Sequence, residues 1–305
     1  MKRLLIAADV DASFRAAAAS DGRFDVVERP VTTEDELVKV IGDAEIVVTR
    51  SYNRVSRRVL DAAPRLELIA QGTSGTDNID IGAASARGIA VINLPGANAN
   101  GVAELVLGLL IAMTRTVPAY TLEMTRGVWN RADAATRHEL AHYSLGIIGL
   151  GEVGRRVARL AGAFSMRPCA LDPFIPEDEF GRRGATRVTT LQEILACDIV
   201  TLHVPLTTET RGMIGARELA QMRPGSFLVN ASRGEVLDQH AALDALSTNH
   251  LAGLALDVFD PEPPPASFPT DPRLILTPHI GGGTYEARSA IGAKLYEKIV
   301  SFFSG

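Results

Sequence analysis

The chain has 305 residues, 46% of them hydrophobic, enough to bury substantial cores and to build about two domains. Lys and Arg number 31 against 36 for Asp and Glu, and the net charge of -5 supplies no broad basic field, so nucleic acid is not expected as a partner. The apolar run Leu4 to Ala8 is too short for a signal-peptide core and no apolar stretch is long enough to span a bilayer, so a cytoplasmic protein with no membrane partner is expected.

Short runs rich in Ile, Val and Leu at Leu4 to Ala8, Glu45 to Thr49, Leu66 to Gln71 and Ile89 to Asn93 alternate with longer helical patterns, which predicts parallel strands of an α/β domain. Leu94, Pro95 and Gly96 then signal a loop. Val102, Leu105, Val106, Leu109, Leu110 and Met113 follow at helical spacing, a helix that could join two domains. A second strand series is predicted at Leu145 to Gly149, Pro168 to Asp172, Asp198 to His203, Ser226 to Asn230, Leu251 to Asp257 and Leu274 to Thr277. Each run ends in a polar residue or glycine: Gly149, Asp172, His203, Asn230, Asp257 and Thr277. Singly these are ordinary strand terminators, but ligands of open α/β sheets bind outside the carboxyl ends of the strands, so the six are expected to ring one crevice. Cys169 and Cys197 lie in apolar runs without metal-ligand spacing and read as buried thiols, with no disulfide, no metal and a reducing compartment. Pro261 to Pro265 reads as a stiff loop.

Leu145 to Ile148 runs into Gly149, Leu150, Gly151, Glu152, Val153, Gly154, and Arg155 to Ala163 reads as a helix. In this strand–turn–helix context the glycines read as a dinucleotide fingerprint. Gly149 permits the tight turn, Gly151 lets the backbone approach a pyrophosphate, and Gly154 allows close helix–strand packing. Asp172, after the next strand, suits the adenosine ribose and would repel a 2′-phosphate, so NAD is preferred to NADP. As the residue before Pro173 it also has a plain reading as a turn former. Arg167, nearby in sequence, could receive a phosphate and weakens the preference slightly.

Three later segments converge on one chemistry: Asn230, Ala231, Ser232, Arg233, Gly234; then Leu256, Asp257, Val258, Phe259, Asp260, Pro261, Glu262, Pro263; then Thr277, Pro278, His279, Ile280, Gly281, Gly282. With Gly72 to Asp80 and Pro95 to Glu104, they make the chain, over nearly its whole length, resemble the D-2-hydroxyacid dehydrogenases, including phosphoglycerate dehydrogenases and glyoxylate or hydroxypyruvate reductases. The resemblance implies that His279 is the general acid/base, Glu262 its carboxylate partner, and Arg233 the group that holds and polarises the substrate. The chemistry explains these residue types. Reduction of a 2-oxo acid needs a proton donor that exchanges near neutral pH, a carboxylate beside imidazole favours the imidazolium, and a guanidinium matches a carboxylate. From the residues alone His203, which also ends a strand, competes about evenly with His279. Glu262 could be a solvated loop acid and Arg233 a surface charge.

The resemblance further implies NAD contacts from Gly149, Gly151, Glu152, Val153, Gly154, Asp172, His203, Pro205, Thr210, Ala231, Ser232, Arg233, Asp257, His279, Gly281 and Gly282, with Asp257 on the nicotinamide carboxamide. Substrate contacts are implied from Arg50, Ser51, Ser74, Gly75, Asn98, Arg233 and His279, the substrate being a small 2-hydroxy or 2-oxo acid. It implies two Rossmann-like or flavodoxin-like domains with doubly wound parallel sheets and an active-site cleft between them. The substrate domain is expected at residues 1–96 and 285–305, the NAD domain at 97–284, and a homodimer through the NAD domain, including the helix after Pro95 and the segment around Trp129. His142, Tyr143, Ser144 and Gly215 depart from the family pattern away from this chemistry. With the last residue at Gly305, the regulatory domain of some phosphoglycerate dehydrogenases is not expected. A dinucleotide-sensing corepressor of the same fold is the rival from another class, and a formate or phosphite dehydrogenase the rival enzyme. The set Arg233, Glu262 and His279 argues for catalysis over sensing.

Overall fold

The computed structural model describes residues 1–131, 137–264 and 267–304, so Pro265 of the expected stiff loop and the terminal Gly305 lie outside the described residues. The chain divides into two compact units, Met1–Asn98 with Gly283–Gly305, and Ala99–Gly282.

The first unit is built on a five-stranded parallel sheet of β1 (Lys2–Ile6), β2 (Phe24–Glu28), β3 (Ile46–Thr49), β4 (Leu68–Gln71) and β5 (Ala90–Ile92), in the order β2-β1-β3-β4-β5. Every residue of β3 and β4 is buried, so each reads as an apolar run up to its last residue, where Thr49 donates to Gln71 at 2.7 Å. Successive side chains point to opposite faces, so Leu5, Val47 and Ile69 pack with Leu37 and Ile41 of the helix Glu34–Ile41. Leu4, Ile46 and Leu68 pack on the other face with Phe14 and with Ile291, Leu295 and Ile299 of the helix Tyr285–Ser304. Each such Leu or Ile contributes about 1.5–3 kcal/mol by leaving water. β2 was not predicted. It is an edge strand whose polar Asp25 is exposed and whose Val26 and Val27 are only half-buried, so it lacks the apolar run that marks the interior strands.

The second unit holds a seven-stranded parallel sheet of β6 (Ser144–Ile148), β7 (Arg167–Leu171), β8 (Thr186–Arg187), β9 (Ile199–Leu202), β10 (Ser226–Asn230), β11 (Leu251–Leu256) and β12 (Leu274–Leu276), in the order β12-β11-β10-β9-β6-β7-β8. Helices cover both faces. Leu145 and Ile147 pack with Val106 and Leu110 of the helix Ala99–Thr114 and with Val157 and Ala161 of the helix Gly154–Ala163; Ile148, Val200, Leu202 and Leu228 pack with Ile194, Leu219 and Leu246. The two-residue edge strand β8 was also not predicted, being exposed and too short for a periodicity signal. The order of strands turns at β6 and β9, which are neighbours in the sheet although β7 and β8 intervene in the chain. That is the switch point outside which such sheets bind ligands. No single described helix is long and apolar enough to cross a membrane.

Candidate active site

At the switch point β6 is followed by Gly149, which has φ +89°; a Cβ there would lie 2.6 Å from the carbonyl oxygen of His203, the residue that follows β9. Only glycine allows that turn and that approach. A Cβ on Gly154 would collide with the Gly149 carbonyl oxygen and press on Ile147, so the helix Gly154–Ala163 starts directly against the turn. Gly151, between them, faces open space. The loop is therefore tight where it meets the protein and open where a ligand's phosphates would approach the first turn of the helix. Glu152 pairs with Arg155 and Arg156, which pull its carboxyl down to about 2; Val153 precedes the helix.

Asp172 follows β7 and is tied to this loop: one carboxylate oxygen accepts the Leu150 N–H at 2.8 Å and the other the Phe174 N–H at 2.9 Å. A carboxylate offers about four acceptor positions, so two remain for the hydroxyls of a ribose. Arg167 does not serve here. It is the first residue of β7, paired with Ser144 at the amino end of the sheet, whereas Asp172 lies beyond the carboxyl end. The nearby cation is Arg183, whose guanidinium donates to the Leu150 carbonyl at 3.0 Å, a contact between distant segments that nothing in the spacing announced.

His203 donates its backbone N–H to Ile148 at 2.7 Å, and its Nε2 lies 3.0 Å from Thr201 Oγ1. Burial lowers its imidazole to about 3, so it is neutral at physiological pH. Thr210 Oγ1 donates to the Pro205 carbonyl at 2.6 Å and accepts the Thr207 N–H at 2.8 Å, closing the loop after β9.

The remaining groups stand at the carboxyl ends of β10, β11 and β12. Buried Asn230 accepts the Ser232 N–H and hydroxyl and donates to the Arg233 carbonyl, which shapes the turn Ala231, Ser232, Arg233. Gly234 has no room for a side chain against the backbone of Phe259 and Asp260, so this turn is clamped to the segment after β11. Asp257, 1% exposed, accepts the Thr277 hydroxyl at 2.6 Å and the Ile280 N–H at 2.9 Å on one oxygen, and the Gly281 N–H at 2.9 Å on the other. It thereby braces the turn on which His279 sits at φ +52°, a left-handed conformation uncommon for a non-glycine residue and seen where the surroundings impose it. The half-buried Gly282 ends the unit. Asn230 was expected at this crevice, but the clamping at Gly234 and this bracing role of Asp257 were not foreseen, since both depend on contacts between distant segments.

Glu262 accepts the Phe259 N–H at 3.0 Å through one oxygen and stands 2.7 Å from His279 Nδ1 through the other. The hydrogen bond to Glu262 raises the imidazole above its ordinary value against the opposing effect of burial. Burial pushes the Glu262 carboxyl up, but the bond to His279 and its charge hold it below the ordinary range. The Arg233 charge acts on both groups, opposing the imidazolium and favouring the carboxylate, so the three form one electrostatic cluster. With Nδ1 held by the carboxylate, Nε2 is left to exchange a proton with a ligand.

In the first unit Arg50 follows β3, beside β1 at that sheet's own switch point. Its backbone N–H is held by buried Asn53, and its half-buried guanidinium has no carboxylate partner among the described residues. Burial lowers its pKa. Ser51 is exposed beside it. Arg54 and Arg58 are instead paired with Glu34 and Asp35 of the helix Glu34–Ile41, and Arg57 is exposed. Ser74 Oγ joins the Leu94 carbonyl, the Gly96 N–H and Asn98 Oδ1. The Gly75 carbonyl accepts from Gln71 and Thr73, while among the described residues the Ser74 and Gly75 N–H groups donate to no protein acceptor.

The profile described as "D-isomer specific 2-hydroxyacid dehydrogenase, NAD binding domain" matches residues 107–281. A D-3-phosphoglycerate dehydrogenase of Methanocaldococcus jannaschii is 39% identical over 90% of this chain and 52% of its own length, so the chain spans about half of that relative. The Escherichia coli D-3-phosphoglycerate dehydrogenase is 39% identical over 95% of this chain and 71% of its own length. A D-lactate dehydrogenase from Aquifex aeolicus, solved with NAD and lactic acid, superposes with a TM-score of 0.87 at 26% identity, covering 100% of this chain and 96% of that one.

Proposed function

The chain belongs to the D-isomer-specific 2-hydroxyacid dehydrogenase family, and from that premise we propose that it transfers a hydride between NAD(H) and carbon 2 of a small D-2-hydroxy acid or its 2-oxo partner. The observation that carries the reading is the Glu262–His279 pair at 2.7 Å with Arg233 acting on both. In the reduction, NADH supplies the hydride. Arg233 holds the substrate carboxylate and polarises the 2-oxo group, and the His279 imidazolium, held by Glu262, gives its Nε2 proton to the forming hydroxyl.

The open face at Gly151, the first turn of the helix Gly154–Ala163 and the two free acceptor positions of Asp172 suit the pyrophosphate and adenosine ribose of NAD. The Asp172 charge favours NAD over NADP. The first unit is proposed as the substrate domain, with Arg50, Ser51, Ser74, Gly75 and Asn98 as its polar contacts. Arg50, half-buried and without a carboxylate partner among the described residues, favours a small polar substrate, with 3-phosphoglycerate slightly ahead of hydroxypyruvate or glyoxylate.

The protein is proposed to act in the cytoplasm as a homodimer. The dimer surface is the apolar patch of Val117, Leu122, Met124, Val128 and Trp129, the last 76% exposed, where buried Glu123 Oε2 has no partner among the described residues. NADH oxidation by the purified protein over a panel of 2-oxo acids tests the whole reading. Turnover of at least one small polar 2-oxo acid supports it, and inactivity towards all of them contradicts it.

A further inference from the structure

Gly146 lies in the middle of β6, which runs between β7 and β9, and it is opposite Cys169 in the parallel register. A Cβ at Gly146 would come within 2.9 Å of Ile194 Cγ2 and 3.2 Å of Cys197 Sγ. The missing side chain leaves a gap over the strand. Through it Cys197, in the turn between the helix Leu191–Leu195 and β9, reaches Cys169 of β7, with the two Sγ atoms 3.4 Å apart. Both are free thiols; Cys197 is buried and Cys169 is half-buried. We propose that Cys169 and Cys197 are a reversible dithiol–disulfide pair, a site of peroxide oxidation separate from the Arg233, Glu262 and His279 cluster.

The step balances as a two-electron oxidation of two thiols by hydrogen peroxide. The Cys169 thiolate attacks one peroxide oxygen and the O–O bond breaks. Cys169 becomes a sulfenic acid, and the departing hydroxide takes the proton that the thiol gave up, forming water. The Cys197 sulfur then attacks the sulfenic sulfur, the S–O bond breaks, the Cys197 proton leaves with that oxygen as a second water, and the S–S bond forms. The hydrogen bond between the two thiols holds Cys169 below its ordinary value and Cys197 above it, which suits Cys169 as the first attacker. Closing the gap to a bond length of about 2.05 Å needs a movement of roughly 1.3 Å across β6.

That movement falls on β7 and on the turn before β9, which flank β6, and β6 and β7 carry the proposed cofactor loop. β6 leads to Gly149 and β7 to Asp172, and the two loops are joined by the Leu150 N–H on the Asp172 carboxylate at 2.8 Å. Oxidation is therefore expected to weaken NADH binding severalfold.

The test treats the full chain with a slight excess of hydrogen peroxide, alkylates free thiols, and maps peptides without reduction. Expected are a linked Cys169–Cys197 peptide, joint loss of both thiols, recovery with dithiothreitol, and a reversible severalfold loss of NADH affinity. Cys169→Ser and Cys197→Ser should each remove the link and the affinity change. Two thiols that stay reactive, or that oxidise separately to sulfinic acids without a link, overturn the proposal. A link that leaves NADH affinity unaltered overturns the coupling to the cofactor loop. The linked peptide does not depend on NAD binding, so a reduced protein that binds no NADH would count against the proposed function alone.

Discussion

Glu262 Oε2 stands 2.7 Å from Nδ1 of His279 while Oε1 of the same carboxylate accepts the Phe259 N–H, so both the orientation and the charge of the imidazole are set from one side. The raised His279 keeps the imidazolium, the proton donor for reduction, into more alkaline solution than an ordinary histidine would. kcat/KM for 2-oxo acid reduction should therefore hold at neutral pH and fall as pH rises through the raised His279 value. Oxidation of the hydroxy acid, which needs the neutral ring, should show the opposite slope. Glu262→Gln removes the charge and should move the falling limb of reduction to lower pH. A limb that stays in place would show that Glu262 does not set the charge of His279.

The glycine loop separates packing from binding. Gly154→Ala places a methyl against the Gly149 carbonyl, with no flexible side chain able to move aside, so a loss of several kcal/mol of stability and a markedly lower Tm are expected. Gly151→Ala meets no protein atom and should leave Tm within a degree or two of wild type, on the order of a surface substitution, while weakening NADH binding. Equal Tm losses in the two variants would contradict this division.

Asp172 is expected to set cofactor choice. Asp172→Ala removes the repulsion of a 2′-phosphate, and the ratio of kcat/KM for NADH over NADPH should fall on the order of tenfold, about 1.4 kcal/mol. An unchanged ratio would assign the choice to another group, Arg183, which is bonded to the Leu150 carbonyl of this loop, being one candidate.

The interior strands were legible because burial on both faces leaves mainly apolar runs, as in β3, β4, β9 and β10, with only a few buried polar residues such as Gln71 and Thr201. The edge strands β2 and β8 were not, because one side of each faces solvent and the pattern thins out. The glycine spacing was readable for a similar local reason: the turn, the open face and the helix start are all set within one short segment. The acid/base choice was not readable from residue types, since His203 and His279 both lie just beyond the carboxyl end of a strand. Their environments differ only through space, one ring being enclosed without a carboxylate and the other facing Glu262. The bracing of the His279 turn by Asp257 joins residues 23 and 24 positions apart, so no local pattern could show it. Arg167 was misplaced because closeness in sequence along a strand puts its two ends on opposite edges of the sheet.

Arg50 tests the substrate. Specificity constants for 3-phosphohydroxypyruvate, hydroxypyruvate, glyoxylate and a branched-chain 2-oxo acid should be compared in wild type and Arg50→Ala. Loss of a charge-assisted contact, about 1.5–3 kcal/mol, predicts a roughly 10- to 100-fold loss confined to the phosphorylated substrate. An equal loss on all substrates would remove the phosphate site, and a branched-chain acid as the best substrate would remove the small polar pocket.

The most direct test of the central claim is single-turnover reduction of the best 2-oxo acid, with NADH affinity measured alongside, in His279→Ala and His203→Ala. The account predicts that His279→Ala loses about 10²- to 10⁴-fold in the chemical step while its NADH affinity changes little, and that His203→Ala, lacking a ring that is already neutral, keeps most of the rate. A His279→Ala variant that keeps most of the wild-type rate, with the loss falling on His203→Ala, would contradict it.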